Sequence, residues 1–244
     1  MNKLQIASTV FKALTLSVFA YSAQATNLVT NGDFELTTSG MGQLGYNTYA
    51  TGWTTTGYNF LFTAGTADTT GANGHYGNLK LWGPNDGSAN GLPSSSPSGG
   101  NFVGADGAFE VGAIQQTING LIAGNSYTVD FSWAGAQQSG FSGATTEQWK
   151  ISLGGQSLST AVINVANHGF SGWMHESFSY IATSSTEVLS FLAVGTPSGV
   201  PPFALLDGVS LNANTVPEPE SYTLLGIGLL GILAVRRQQR NRSA

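Results

Sequence analysis

Tyr127-Thr128-Val129-Asp130-Phe131-Ser132-Trp133 sets four large apolar side chains at every second position, with small or polar residues between them. Successive side chains of an extended chain point to opposite faces, so the stretch predicts a strand with one buried face. Trp149-Lys150-Ile151-Ser152-Leu153 repeats the pattern ahead of a Gly154-Gly155 turn. The same reading places strands within residues 113–118, 178–181, 187–194 and 203–211, and Asn119-Gly120, Gly124-Asn125 and Pro197-Ser198-Gly199 supply turns between them. About ten short strands and no amphipathic helix in the body predict an all-β, two-sheet β-sandwich, a jelly roll, without a second domain or internal repeat. Phe131 to Trp149 reads as a hairpin joining the two best strands through a polar loop, its Gln and Thr residues either solvated or turned toward a sugar.

Composition narrows the function. The chain has 244 residues, 33 glycines, no cysteine, and charges on only 9% of its residues. Without cysteine there is no disulfide, no thiol chemistry and no Cys-based zinc site. Between residues 26 and 215 the only basic residues are Lys80 and Lys150, against eleven acids, and there is no arginine. Such a body repels phosphates, which excludes nucleic acid and argues against anionic membrane surfaces. Divalent cations and uncharged ligands remain as partners.

The ends read as addresses. Residues 1–25 have Lys3 and Lys12, an apolar stretch over 13–20 and a small-x-small site at Ala23-Gln24-Ala25, the pattern of a signal peptide removed by signal peptidase before Thr26. The chain closes with Pro217-Glu218-Pro219, an apolar helix predicted over 222–235, and a basic tail over 236–244 that begins Arg236-Arg237. Fourteen helical residues span about 21 Å, short of a hydrocarbon core of about 30 Å, so the short transmembrane helix reads as a transient inner-membrane anchor with its arginines on the cytoplasmic side.

The ordered triad of Pro-Glu-Pro, Gly-rich apolar helix and arginines resembles the PEP-CTERM sorting signal of Gram-negative bacteria. The resemblance implies an exosortase that cleaves near Pro217-Glu218-Pro219, delivery to the cell surface or extracellular matrix, and an association with exopolysaccharide and biofilm. The segment from Phe131 to Trp149 is also similar to secreted PEP-CTERM proteins, with no activity attached to it. The expected divisions are therefore a signal peptide (1–25), a β-sandwich domain (26–215) and a sorting signal (216–244).

Within the body, residues 63–101 are dominated by Gly, Ala, Ser, Asn and Pro and read as a binding loop or disorder, with a strand in Asn78–Trp82 and a mobile loop at Ser94–Gly100. The opening Asn27–Glu35 and the closing Leu205–Leu211 together resemble jelly-roll carbohydrate-binding modules, whose first and last strands lie side by side and often hold a structural calcium. The resemblance makes Glu35 and Asp207 its side-chain ligands, with Asp33 a weaker one. The residues themselves support Asp207: strand alternation puts it on one face with Leu205, Val209 and Leu211, and no arginine is available to pair a buried carboxylate. Calcium prefers carboxylate and carbonyl oxygens; the alternative is an Asp207 that caps a turn at a strand end.

No catalytic residue is assigned. The sequence has no Gly-x-Ser-x-Gly, His-Glu-x-x-His or P-loop motif. His75, His168 and His175 are scattered, and His175 and Glu176 fall on opposite faces of any strand. Asp106 with Glu110, or Asp68 with Asp86, are the carboxylate pairs a hydrolase would draw on. Tyr49, Trp53, Tyr58 and Trp82, in Gly- and Asn-rich surroundings, are the candidate sugar platform, whereas Trp133 and Trp149 belong to the core. The reading is a non-enzymatic surface or matrix protein with a glycan site, against a purely structural protein or a hydrolase.

Overall fold

The computed structural model describes residues 26–214 and 219–242. The expected signal peptide, with Ala23 and Ala25, and the sorting residues Pro217 and Glu218 lie outside the described residues.

The strands are, in chain order, β1 Gly42–Gln43, β2 Asn59–Phe62, β3 Ala72–Gly74, β4 Gly77–Leu79, β5 Phe102–Asp106, β6 Ile114–Asn119, β7 Ser126–Gln137, β8 Thr145–Leu153, β9 Gln156–Ser159, β10 Ile163–Val165, β11 Met174–Ile181, β12 Thr186–Thr196 and β13 Pro202–Ala213. One sheet has the order β1-β2-β5-β13-β7-β11, the other β10-β8-β12-β6, and β9 continues along the β10 edge of β8. From β5 onward the chain changes sheet at every step except from β8 through β9 to β10. The two quartets β5-β13-β7-β11 and β6-β12-β8-β10 are the two sheets of an eight-stranded jelly roll, with β1 and β2 added to one edge. The expected hairpin between β7 and β8 is corrected: the two strands lie in opposite sheets, and the polar segment between them crosses from one layer to the other.

The alternating residues fill the space between the layers. Tyr127, Val129, Phe131 and Trp133 of β7 meet Trp149, Ile151 and Leu153 of β8, Phe191 of β12, and Leu206, Val209 and Leu211 of β13. Trp149 Nε1 donates to the Leu205 carbonyl at 3.0 Å, which satisfies the one polar atom of the largest buried side chain on β8.

The segment 63–101 is corrected from loop or disorder to a folded cover. Ala67, Ala72, Leu79, Leu81 and Leu92 form a second apolar cluster with Phe60, Phe62, Phe102, Ala134, Ala136, Phe203 and Leu205 on the outer face of the six-stranded sheet. Ser96, expected in a mobile loop, is buried and donates a hydrogen bond to the Asp207 carboxylate. The cover can be glycine-rich because several glycines mark close approaches: a Cβ at Gly71 would lie 2.1 Å from the Leu79 carbonyl oxygen.

The N-terminal segment lies beside β13, as the paired motifs require: Leu28 N donates to Leu211 O at 2.9 Å, and Val209 N to Gly32 O at 2.9 Å. At the other end, the helix α1 spans Pro219–Arg242. It runs on through the predicted basic tail, because Gln and Arg are good helix formers and no breaker intervenes. No helix among the described residues is long and apolar enough to cross a membrane. The predicted transmembrane helix is thus a real helix whose apolar part is too short for a span.

Candidate functional site

Strand alternation misassigns the surroundings of Asp207. β13 carries a bulge between Asp207 and Ser210, and Gly208 adopts the left-handed conformation at φ 62°. The bulge shifts the phase, so Asp207 shares the outer face with Phe203 and Leu205, while Val209 and Leu211 face the other sheet. Asp207 is nonetheless fully buried, beneath the cover. Its Oδ2 accepts from Ser96 Oγ, and its Oδ1 is buried without a partner. Burial, reinforced by the charges of Asp33 and Glu35, pushes its carboxyl up to about 7. Glu35 accepts from Asn101 N at 2.5 Å, and Asn101 Nδ2 donates to Phe34 O at 3.0 Å. Glu35 and Asp33 are exposed at the rim of the site. An orphaned, buried carboxylate oxygen in the field of two rim carboxylates, with the Ser96 hydroxyl and the Gly99 carbonyl nearby, has donor chemistry that suits calcium. Among the described residues no three acidic or histidine side chains converge into a metal cluster, so Asp207 and Glu35 would need those neutral oxygens to complete it.

The four aromatic candidates separate. Trp53 and Tyr58, each 6% exposed, belong to the two apolar clusters, which corrects the expectation that they present open ring faces. Trp53 packs on Phe34 at 5.2 Å and donates from Nε1 to Asn31 O at 2.9 Å. Trp82 is half-buried: its ring stacks on His168 at 3.9 Å, and its Nε1 donates to Phe141 O at 2.8 Å. It fastens three loops together, since Asn90 Nδ2 donates to the carbonyls of both Trp82 and His168 at 2.9 Å. Tyr49 alone stands exposed, at 52%. It borders a surface cavity of about 150 Å³ lined also by Leu44, Gly45, Trp53, Thr54, Thr55 and Ile114. Two of the four candidates thus meet at one concavity. A cavity of this volume accepts a single six-membered ring.

A second aromatic group escaped the sequence reading. β3 and β4 form a hairpin with His75 and Tyr76 as its two-residue tip. Tyr46 packs edge-on against His75 at 5.2 Å, His75 against Tyr76 at 4.8 Å, and Tyr76 against Phe109 at 5.6 Å. Tyr46, Tyr76 and Phe109 are 53%, 59% and 42% exposed. Tyr76 Oη donates to Glu110 Oε1 at 2.6 Å, and this hydrogen bond raises the phenol above its ordinary range. The available signal was a pair of aromatics flanked by glycines, Gly74-His75-Tyr76-Gly77, in a segment of turn formers.

The carboxylates of the two candidate pairs each have other partners, Glu110 accepting from the Tyr76 hydroxyl. Asp86 pairs with Lys80, whereas Asp68 accepts from Asn85 N at 2.9 Å. Asp106 is buried, with Oδ1 accepting from Ala108 N and Phe109 N, and burial raises it to about 6. Glu147, also buried, is pushed to about 8 by desolvation, and its Oε2 has no partner. His175 and Glu176 fall on opposite faces of β11, with the His175 ring 3.6 Å from Asp130.

The strand order defines the body as a jelly-roll β-sandwich. Residues 215–238 match the PEP-CTERM protein-sorting motif, which implies export and processing by exosortase. No curated protein matches the chain. Among solved structures, the carbohydrate-binding module TmCBM61 in complex with β-1,4-galactotriose is 18% identical, with 76% of this chain and 97% of that chain covered and a TM-score of 0.42. The CBM22-1 xylan-binding domain of Paenibacillus barcinonensis Xyn10C is 11% identical, with coverages of 80% and 99% and a TM-score of 0.40. A cleaved adhesin domain of Lys-gingipain from Porphyromonas gingivalis is 12% identical, covering 66% and 90%, at a TM-score of 0.37. The fold assignment stands on the strand order, not on these likenesses.

Proposed function

We propose that the protein is an exported, exosortase-sorted component of the bacterial surface or extracellular matrix, associated with exopolysaccharide, whose sandwich binds glycan and performs no catalysis. The observation that carries the glycan reading is the cavity beside Tyr49: an exposed tyrosine ring at the mouth of a concavity the size of one six-membered ring, in a body whose charge disfavours phosphate-rich partners. Sorting is supported by the matched C-terminal motif and by a helix that leaves Leu224, Leu225, Ile227, Leu229, Leu230, Ile232 and Leu233 more than half exposed. That helix suits temporary insertion in a membrane followed by cleavage, a transient anchor rather than a permanent one. The acidic site of Asp207 and Glu35 would hold one structural calcium, fastening the cover to the last strand.

The test is migration of the full chain through native gels containing exopolysaccharide of its own host, against polysaccharide-free gels. Retardation that Tyr49→Ala weakens supports the reading. Unchanged migration of the parent chain would make it a structural surface protein without a glycan site.

A further inference from the structure

We infer that the hairpin tip carries a second binding site, in which Tyr46, His75, Tyr76 and Phe109 receive an uncharged polysaccharide chain; this rests on the glycan-binding reading of the sandwich. Three of the four rings are about half exposed although each touches another ring, so the group forms one continuous apolar track on the surface. Neighbouring planes meet at 88°, 85° and 65°, and such edge-on contacts leave ring faces open that face-to-face stacking would consume. Sugar rings pack their C–H faces on such surfaces. Four rings in succession make a track longer than one sugar, which fits a chain rather than a monosaccharide.

The track is built rather than incidental. Gly74 lets the hairpin lie on Phe60, since a Cβ there would stand 2.6 Å from that ring. His75 N donates to the buried Gln43 Oε1 at 2.8 Å, and Asn47 Nδ2 donates to Asn73 O at 3.0 Å, tying the tip and its β3 arm to the loop that carries Tyr46. The Tyr76–Glu110 bond fixes the third ring beside Phe109. Rings held in this way lose little freedom when a ligand arrives.

Charge selects the ligand class. Glu110 sits in the track, and beside it the Tyr58 phenol is raised by burial and, after that, by the charges of Asp106 and Glu110. Of the two lysines in the body, Lys80 is paired with Asp86, and Lys150 is exposed on β8 in the other sheet. The track holds a carboxylate and neither lysine nor arginine, so an anionic chain is disfavoured against an uncharged one.

The experiment uses the full chain in native gels containing soluble galactan, xylan or mixed-linkage glucan, and in gels containing alginate. The parent chain should be retarded by at least one uncharged polymer and not by alginate. Tyr76→Ala and Phe109→Ala should each weaken that retardation about tenfold while the variants keep the parent's cooperative unfolding and circular dichroism spectrum. Undiminished retardation of the Tyr76→Ala/Phe109→Ala double variant would overturn the track, leaving the Tyr49 cavity and the glycan reading intact. Retardation by alginate would overturn the uncharged class. No retardation of the parent chain in any uncharged gel would overturn both site and reading.

Discussion

The inner face of the six-stranded sheet meets a second sheet, whereas its outer face meets a cover whose strands are three residues long and whose remainder is turns, irregular chain and one short 3-10 helix over Pro84–Asp86. Both faces are dry, but they are closed differently. The inner contact interlocks large side chains from long strands, with Phe131, Trp149 and Phe191 in edge-on contact at 5.1 and 6.1 Å. The outer contact lays alanines and leucines of the cover on phenylalanines of the sheet and holds the cover through side-chain hydrogen bonds, such as Asn85 to Asp68 and Ser96 to Asp207. A sandwich layer is stabilised by volume, whereas a cover of this kind is stabilised by many local bonds, each a modest net contribution. The exposed aromatic track stands on the cover, so the less interlocked region carries the surface chemistry.

This contrast can be broken by measurement. Trp149→Ala should cost about 3–5 kcal/mol in urea unfolding, the range for removing a large aromatic from a tight core. Calcium at about a hundredfold over its dissociation constant should add about 2.7 kcal/mol, and chelation should lower the melting temperature accordingly; an unchanged melting temperature eliminates the Asp207–Glu35 site. Leu79→Ala should cost about 2 kcal/mol, the low end for leucine, because a glycine-rich cover can settle into the void. Its hydrogen exchange should rise in residues 63–101 without rising in β7 and β8. Equal exchange in both regions would show the cover and sandwich to be one cooperative unit.

The smallest effect, about 1.4 kcal/mol, is the pH response over the one unit between about pH 7 and pH 8. Asp106 and Glu147 are buried with carboxyls raised to about 6 and about 8. The folded state therefore holds protons that the unfolded state releases near pH 4, and stability must fall as pH rises. Each group contributes a slope of about 1.4 kcal/mol per pH unit until its folded value is passed. The fall should end near pH 6 for Asp106 on the outer face and continue to about pH 8 for Glu147 between the sheets. Glu147→Gln should flatten the decline between about pH 7 and pH 8 in denaturant titrations; an unaltered slope would mean that Glu147 is ionised in the fold.

Strands with one buried face were legible because their pattern records their surroundings. β7 alternates from Tyr127 to Trp133, where only its inner face packs on apolar residues, and then runs buried at every position from Ala134 to Gln137, where the cover closes the outer face. β2 and β5, buried at every position, show no alternation and gave no strand signal. The candidate site was less legible. Tyr49 and Asp207 were singled out as candidates, but the sequence could not separate Trp53 and Tyr58 in the core from Tyr46 and Phe109 on the surface, since both pairs sit among turn-forming residues.

The sequence by itself determined the all-β class, the acidic charge of the body and the PEP-CTERM motif, because periodicity, charge and short motifs are local properties. Only the tertiary structure decided that residues 63–101 fold as a cover, that a left-handed Gly208 turns Asp207 to the outer face, and that four rings from three separate segments meet at the hairpin tip. Each of these depends on which distant backbone comes close enough to exclude water, and no local pattern encodes that proximity.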